Sequence, residues 1–336
     1  MVVKDGQIVS VAKKVGRFTT LLSGLKFAQE PKSSSHALIK TSVTMAITKK
    51  TKKPKSLSHG RPPTIVKPPP SLSSKATRTL IRTHHTLHKQ KAIAQKKGDA
   101  AAVAKIEAEI EKQGGIEKYQ VASLLGQGNA RGGDSSRVLM DWLKPQVPLL
   151  KTRKDGDRLR LLEVGALSVA NACSKSNLFD IERIDLNSQA EGILQQDFME
   201  RPLPKLNDEK FEIISLSLVL NYVPDQEQRG EMLRRTLQFL RGPLGENEDE
   251  LRKVFPALFL VLPAPCVQNS RYMDELKLEA IMNSLGYIKE QHKTSNKLVY
   301  YLWRATDLSP KLKKEQFKKV ELRAGGTRNN FAIVMK

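Results

Sequence analysis

From residue 159 onward the chain alternates between short, near-continuous apolar runs and longer stretches in which apolar residues recur every three or four positions. Residues 159–164, 181–186, 211–220 and 257–263 form the runs, and a shorter one within 192–198 delivers Asp197. Runs of this length without alternation predict strands buried on both faces. Helical spacing predicts helices over 170–176, 224–240 and 273–285, the last closed by Gly286. Strands separated by helices give a mainly parallel sheet with both faces covered. Residues 298–304 and 331–335 read as the last two of seven strands. No helix of usual length lies between them, so they predict an antiparallel edge.

Upstream the period is helical. Leu80, Ile81, His84, Leu87 and Lys91 recur on one helix that Gly98-Asp99 breaks. Val103, Ile106 and Ile110 mark a second helix over 100–112, ended by Gly114-Gly115, and residues 116–125 a short third. The glycine-rich GQGNARGGDSSR, residues 126–137, is a loop. A helix over 138–143 follows, which Pro145 and Pro148 are expected to end. Residues 45–75 mix Lys, Pro and Ser and bury too little apolar surface to order themselves. Three regions are therefore expected: a disordered basic arm over 1–76, a helical region over 77–148 and an α/β domain over 149–336. Met45 opens a natural start for a basic protein, which makes 1–44 an upstream extension with a faint presequence character.

Charge sharpens this division. Of 336 residues, the first hundred carry 21 Lys and Arg against three acids (Asp5, Glu30, Asp99), which places +18 of the net +22 there. A basic arm on a near-neutral domain is the footprint of a polyanion partner, the alternative being a solvated tail that also serves as a nuclear address. Cys173 and Cys266 have neither disulfide nor metal spacing. No apolar stretch approaches the roughly 18 residues of a membrane helix. His84, His85 and His88 have no Cys, Asp or Glu nearby to complete a ligand set, so they read as a basic helix face and no metal is expected. Trp142 and Trp303 read as core.

The chemistry lies in residues 158–187. The first strand stops at Gly165, and Asp185 ends the second strand twenty positions later. A glycine at that turn admits a ligand to the backbone, and the later carboxylate accepts hydrogen bonds from ribose hydroxyls. Only one glycine is present, where a pyrophosphate cradle has three. Ribose and adenine without phosphate describe S-adenosylmethionine, which makes the expected fold a class I Rossmann-like methyltransferase. Glu163 and Gly165 end the first strand, Asp185 the second, and Asp197 with Phe198 would bracket the adenine. Arg131 in the glycine-rich loop is a candidate clamp for the cofactor carboxylate or a substrate phosphate. Asn221 and Tyr222 follow the fourth strand, where a substrate would meet the methyl group.

The blocks GQGNARGGDSSR, RLRLLEVGALSVANACSKS, IDLNSQAEGILQQDFMERPLP, FEIISLSLVLNYVP and RNNFAIVM together resemble the fungal nucleolar 25S ribosomal RNA adenine-N1 methyltransferase family, over roughly 77–336. The resemblance implies methyl transfer from S-adenosylmethionine to N1 of an adenine in large-subunit ribosomal RNA, with the RNA or pre-ribosome as partner and the nucleolus as location. Its cofactor positions fall on Gly165 and Asp185. Metazoan relatives of that family include an S-adenosylmethionine sensor upstream of TOR, so a non-catalytic sensor acting through protein partners is the alternative.

Overall fold

The computed structural model describes residues 73–127, 133–188, 190–242, 244–245, 248–309 and 316–336. Nearly all of the arm expected over 1–76, the proposed extension 1–44 and Arg131 lie outside them. The described residues belong to one compact unit, Pro68–Lys336.

The helical region begins earlier than its apolar pattern suggests. Helix α1 (Ser74–Lys97) starts where Ser73 Oγ accepts from Ala76 N at 3.1 Å, an N-cap that satisfies an otherwise unpaired N–H. It ends at Gly98, whose φ of 72° lets the chain reverse. Asp99 then caps α2 (Ala100–Lys112), and α3 (Gly115–Gln127) packs back on α1. Helix α4 (Ser136–Trp142) leads through a 3₁₀ turn at Lys144–Gln146 into α5 (Val147–Lys151). Pro145 and Pro148 do not stop the helical path, because each sits in a first turn, where its missing N–H has no partner to lose.

The α/β part follows as β1 (Leu159–Val164), α6 (Ala172–Ser176), β2 (Phe179–Asp185), β3 (Leu194–Gln195), β4 (Ile213–Ser217), α7 (Gln226–Phe239), α8 (Asp249–Arg252), β5 (Ala257–Pro263), α9 (Pro265–Gln268), α10 (Glu275–Ser284), β6 (Tyr287–Thr294) and β7 (Leu298–Ala305). The sheet order is β3-β2-β1-β4-β5-β7-β6. The first five strands in that order are parallel, β7 is antiparallel to β5, and β6 is antiparallel to β7. Period-two side-chain alternation divides the core between the two faces. On β5, Leu258, Leu260 and Leu262 join Met232, Leu233 and Leu237 of α7 and Leu278 and Ile281 of α10. Ala257, Phe259 and Val261 face the other way, onto Val138 and Leu139 of α4 and Leu150 of α5. Trp303 is fully buried, and Trp142 packs edge-on against Phe259.

The antiparallel edge is present, but built from other residues than expected. Its outer strand is β6, whose sequence YIKEQHKT buries Tyr287 and leaves most of the remainder at the surface. Lysines, a bulge between Lys289 and Gln291 and a polar face are how an edge strand avoids pairing with another chain. They also erase the apolar signal. Residues 331–335 are buried but form no sheet strand, because the β6–β7 hairpin already holds the edge. Instead they run beneath α7, where Val334 N donates to Gln226 O, Arg229 Nη1 to Ala332 O and Ser270 Oγ to Phe331 O.

Candidate active site

In an open parallel sheet the crevice lies beyond the carboxyl ends of the strands, where the chain leaves β1 in one direction and returns to β4 on its other side. Gly165 leaves β1 with φ 73°, its N–H donating to Ile184 O at 2.8 Å. Gln196 N donates to Asp185 O at 2.9 Å, which fastens the chain after β3 to the end of β2. Past β4, Leu218 takes φ 62°, a left-handed conformation that costs a side-chain-bearing residue about 1–2 kcal/mol. The strain turns the chain so that Val219 lies against Gly165. A Cβ placed on Gly165 would sit 2.6 Å from Val219 Cγ2. The cofactor-side loop and the segment carrying Asn221 and Tyr222 are therefore in direct contact.

Asp185 is half-buried at the end of β2. Its Oδ1 accepts from Asn187 N at 2.8 Å and from Gln120 Nε2 at 3.0 Å. Burial raises its pKa above the ordinary carboxylate value, and those two hydrogen bonds offset part of the shift. Gln120 also bonds Asn187 through both ends of its amide. Glu163 has a different task. Both of its oxygens accept from Asn171 Nδ2 at 2.8 Å, and Asn171 caps α6, so Glu163 anchors the loop that follows Gly165. Burial raises its pKa too, opposed by Asn171 and by the Arg183 charge.

The part of the glycine-rich loop that is described is stapled to this frame. Asp134 Oδ1 accepts from Ser136 N and Oγ, its Oδ2 from Ala172 N at 2.5 Å, and Ser135 and Ser217 share a hydroxyl hydrogen bond of 2.8 Å. Asp197 folds its carboxylate onto Met199 N at 2.7 Å in a tight turn after β3. Phe198 does not bracket an adenine. Its side chain is only 2% exposed and packs on Phe239, 5.2 Å between ring centroids, because the alternation after Asp197 sends it into the core.

The opposite wall comes from the helical region. Tyr119 of α3 lies 5.3 Å from Tyr222, centroid to centroid, while His85 meets the Tyr222 ring edge-on at 5.0 Å. His84 Nε2 and the Tyr222 hydroxyl share a hydrogen bond of 3.2 Å, and the His84 ring stacks on Tyr119 at 4.5 Å. Burial is the main reason that the His84 and His85 pKa values fall to about 4, with neighbouring cationic and histidine side chains adding to it. The histidines are thus neutral rings inside an aromatic cluster, which corrects the basic face expected of them. Burial likewise raises the Tyr222 pKa. Beside this cluster Asn221 Oδ1 is buried without a hydrogen-bond partner among the described residues.

These lowered values have a stability consequence. The unfolded chain binds protons at His84 and His85 as pH falls through 6.5, while the folded chain resists until about pH 4. The stability that the neutral rings contribute is complete above pH 6.5 and is lost progressively between there and pH 4. The thermal midpoint is expected to fall by several degrees between about pH 7 and pH 5. In the variant H84F/H85F, which keeps rings but cannot titrate, that fall should be clearly smaller in differential scanning calorimetry. An equal fall would show that the cluster does not govern it.

Tyr119, Gln120, Asn171 and Asp134 were not among the residues singled out from sequence. Gln120 and Tyr119 act across chain separations that no local pattern encodes. Asn171 had a signal, being an N-cap residue ahead of an expected helix.

The sheet order, the single reversed strand and this crevice are those of the class I Rossmann-like methyltransferases. The model of the family described as 25S rRNA (adenine(2142)-N(1))-methyltransferase, Bmt2, matches residues 104–333, and the chain belongs to this family. A Schizosaccharomyces pombe protein named 25S rRNA adenine-N(1) methyltransferase is 41% identical over 260 residues, 76% of this chain and 89% of that protein. A Saccharomyces cerevisiae protein named 25S rRNA (adenine(2142)-N(1))-methyltransferase is 38% identical over 228 residues, covering 68% of this chain and 62% of its own length. Among solved structures, the 16S rRNA methylase RmtB aligns with 70% of this chain and 92% of its own at 14% identity and a TM-score of 0.34. The O-methyltransferase NcsB1 with bound S-adenosylmethionine aligns with 68% and 71% at 10% identity and 0.36. Likeness at that level carries no argument, and the fold rests on the topology above.

Proposed function

We propose that this chain transfers the methyl group of S-adenosylmethionine to N1 of an adenine in large-subunit ribosomal RNA. Two relatives bearing that name support the reaction. The observation in the site that carries it is the contact between the two halves of the crevice: Gln120 reaches Asp185 while its neighbour Tyr119 packs on Tyr222. The residues present suit the cofactor. Gly165 offers a backbone surface with no room for a side chain, and Asp185 offers a half-buried carboxylate at the position of a ribose.

When bound, the cofactor supplies an electrophilic methyl group on a sulfonium. Adenine N1 already carries a lone pair, so no side chain need remove a proton before attack, and the chain acts by positioning. The orphaned Asn221 Oδ1 would accept from the adenine amino group, which satisfies a buried acceptor only when the right base is present. Tyr222, fixed by His84, His85 and Tyr119, would hold the ring plane. N1 lies on the pairing edge, so the target must be unpaired or flipped out. We further propose the nucleolus as its location and the pre-ribosome as its partner, a reading that the positive charge of its first hundred residues supports. Arg131 is kept as a proposed clamp, and Glu163 and Asp197 as residues that shape the cofactor side.

The test is methylation of unmodified large-subunit RNA by the purified full chain, read as 1-methyladenosine by mass spectrometry. Tyr222→Ala is expected to lower turnover by about 100-fold through lost alignment. Asn221→Ala is expected to cost about ten- to a hundred-fold, the worth of one buried hydrogen bond to the base. Methylation at another atom, or full turnover in both variants, would remove these roles. Cofactor binding with no transfer to any RNA would favour the sensor.

A further inference from the structure

Helix α1 contains no acidic residue, and its cations other than Lys97, at the end of the helix, fall into two groups. Lys91 pairs with Glu107 of α2 at 2.7 Å, and Lys96 pairs with Asp225 at the start of α7 at 2.5 Å. Lys75, Arg82 and Lys89 have no acidic partner among the described residues. These three are seven residues apart, two turns of helix, so they line up with a drift of only about 20° per step. Arg78 and His85 fall between them on the same stripe. At a rise of about 1.5 Å per residue the stripe is about 21 Å long. Lys75, Arg78 and Arg82 are exposed. His85 and Lys89 are half-buried, and His85 already touches Tyr222. The stripe therefore starts in solvent and ends at the base side of the crevice.

We propose that α1 is a phosphate track for the RNA strand, on which Lys75, Arg82 and Lys89, with Arg78, contact the backbone leading to a target base beside Tyr222. The inference rests on the RNA-methylating reading of the site and assigns to it a binding surface ahead of residues 104–333. Two further observations support it. Lys89 is partly desolvated, and this, together with the charge of Arg229, lowers its pKa. The Arg229 guanidinium donates to three backbone carbonyls, those of Val223, Pro224 and Ala332, and makes no ion pair among the described residues, the Asp225 charge acting on it only from outside ion-pair range. Two neighbouring, partly desolvated cations that make no ion pair are a cost to the fold that an incoming phosphate offsets. An acidic protein segment would also meet the charge, but a track that passes an aromatic ring close to an unpartnered amide oxygen suits a strand that carries bases.

The experiment measures binding of a single-stranded RNA to the full chain by fluorescence anisotropy, between about 50 and 200 mM salt, where the slope counts phosphate contacts. Three variants are compared with wild type: K75Q/R82Q, K89Q, and K91Q/K96Q, which removes two charges from the same helix but from paired positions. The slope of log affinity against log salt is expected to become shallower by about 1.4 in K75Q/R82Q and by about 0.7 in K89Q. It should change little in K91Q/K96Q. The substituted stripe positions 75 and 82 are exposed, so K75Q/R82Q should melt as wild type does. Equal slopes in all four proteins, or an equal loss in the paired control, would overturn the track. So would preserved RNA binding with loss only of an acidic peptide. Failure of the methylation reading looks different: wild type then forms no 1-methyladenosine while the slope differences persist. Absence of any RNA binding by wild type would sink both.

Discussion

Asp185→Ala is expected to weaken S-adenosylmethionine binding by about 100-fold or more while leaving the fold intact. A hydrogen bond to a charged acceptor contributes about 1.5–3 kcal/mol, and a carboxylate at the end of β2 can take both ribose hydroxyls. Two such bonds total about 3–6 kcal/mol, against the roughly 2.8 kcal/mol that a hundred-fold change in affinity requires. Stability should move little, for a reason visible in the folded chain. Burial holds the Asp185 pKa above its ordinary value, so at neutral pH the folded state carries a cost for keeping that charge. Alanine removes the cost together with the bonds from Asn187 N and Gln120 Nε2, and the two changes oppose one another. Asp185→Asn, which keeps an acceptor and loses the charge, should fall between. Calorimetric titration with S-adenosylhomocysteine isolates binding from turnover, and an affinity within about threefold of wild type would show that the ribose lies elsewhere.

The parts of this site that were legible in the sequence share one property: each is a local departure from a local pattern. Gly165 ends an apolar run, Asp185 ends another, and β4 and β5 are near-continuously apolar because both of their faces are covered. What was illegible depends on contact between distant segments. Gln120 and Asp185 are 65 residues apart, His84 and Tyr222 138 apart, and nothing in either local sequence specifies the meeting. Burial is equally non-local. Three histidines in a lysine-rich helix look solvated until α3 and Tyr222 cover them, and Phe198 looks available until its ring is found on Phe239. The exchange of 331–335 for β6 is the same lesson at the level of a strand. An apolar run reports burial, and only the hydrogen bonds decide whether that burial is in a sheet.

Gly165→Ala tests the most crowded point of the crevice. At φ 73° a residue with a Cβ loses about 1–2 kcal/mol to backbone strain alone. The new methyl would also lie 2.6 Å from Val219 Cγ2, and a β-branched side chain is too stiff at χ1 to swing away cheaply. Relief must come from moving the Gly165 turn or the Val219 turn. The first displaces the cofactor-side loop, and the second displaces Asn221 and Tyr222, which follow a Leu218 already strained at φ 62°. Cofactor affinity is therefore expected to drop by about 100-fold or more, the scale set by an alignment error near 1 Å. The double variant G165A/V219A separates the causes. It removes the overlap and keeps the strained φ, so affinity should return about halfway on a logarithmic scale. No recovery would mean that the methyl occupies space the ligand itself needs, whereas wild-type affinity in the single variant would place the ligand away from this turn altogether.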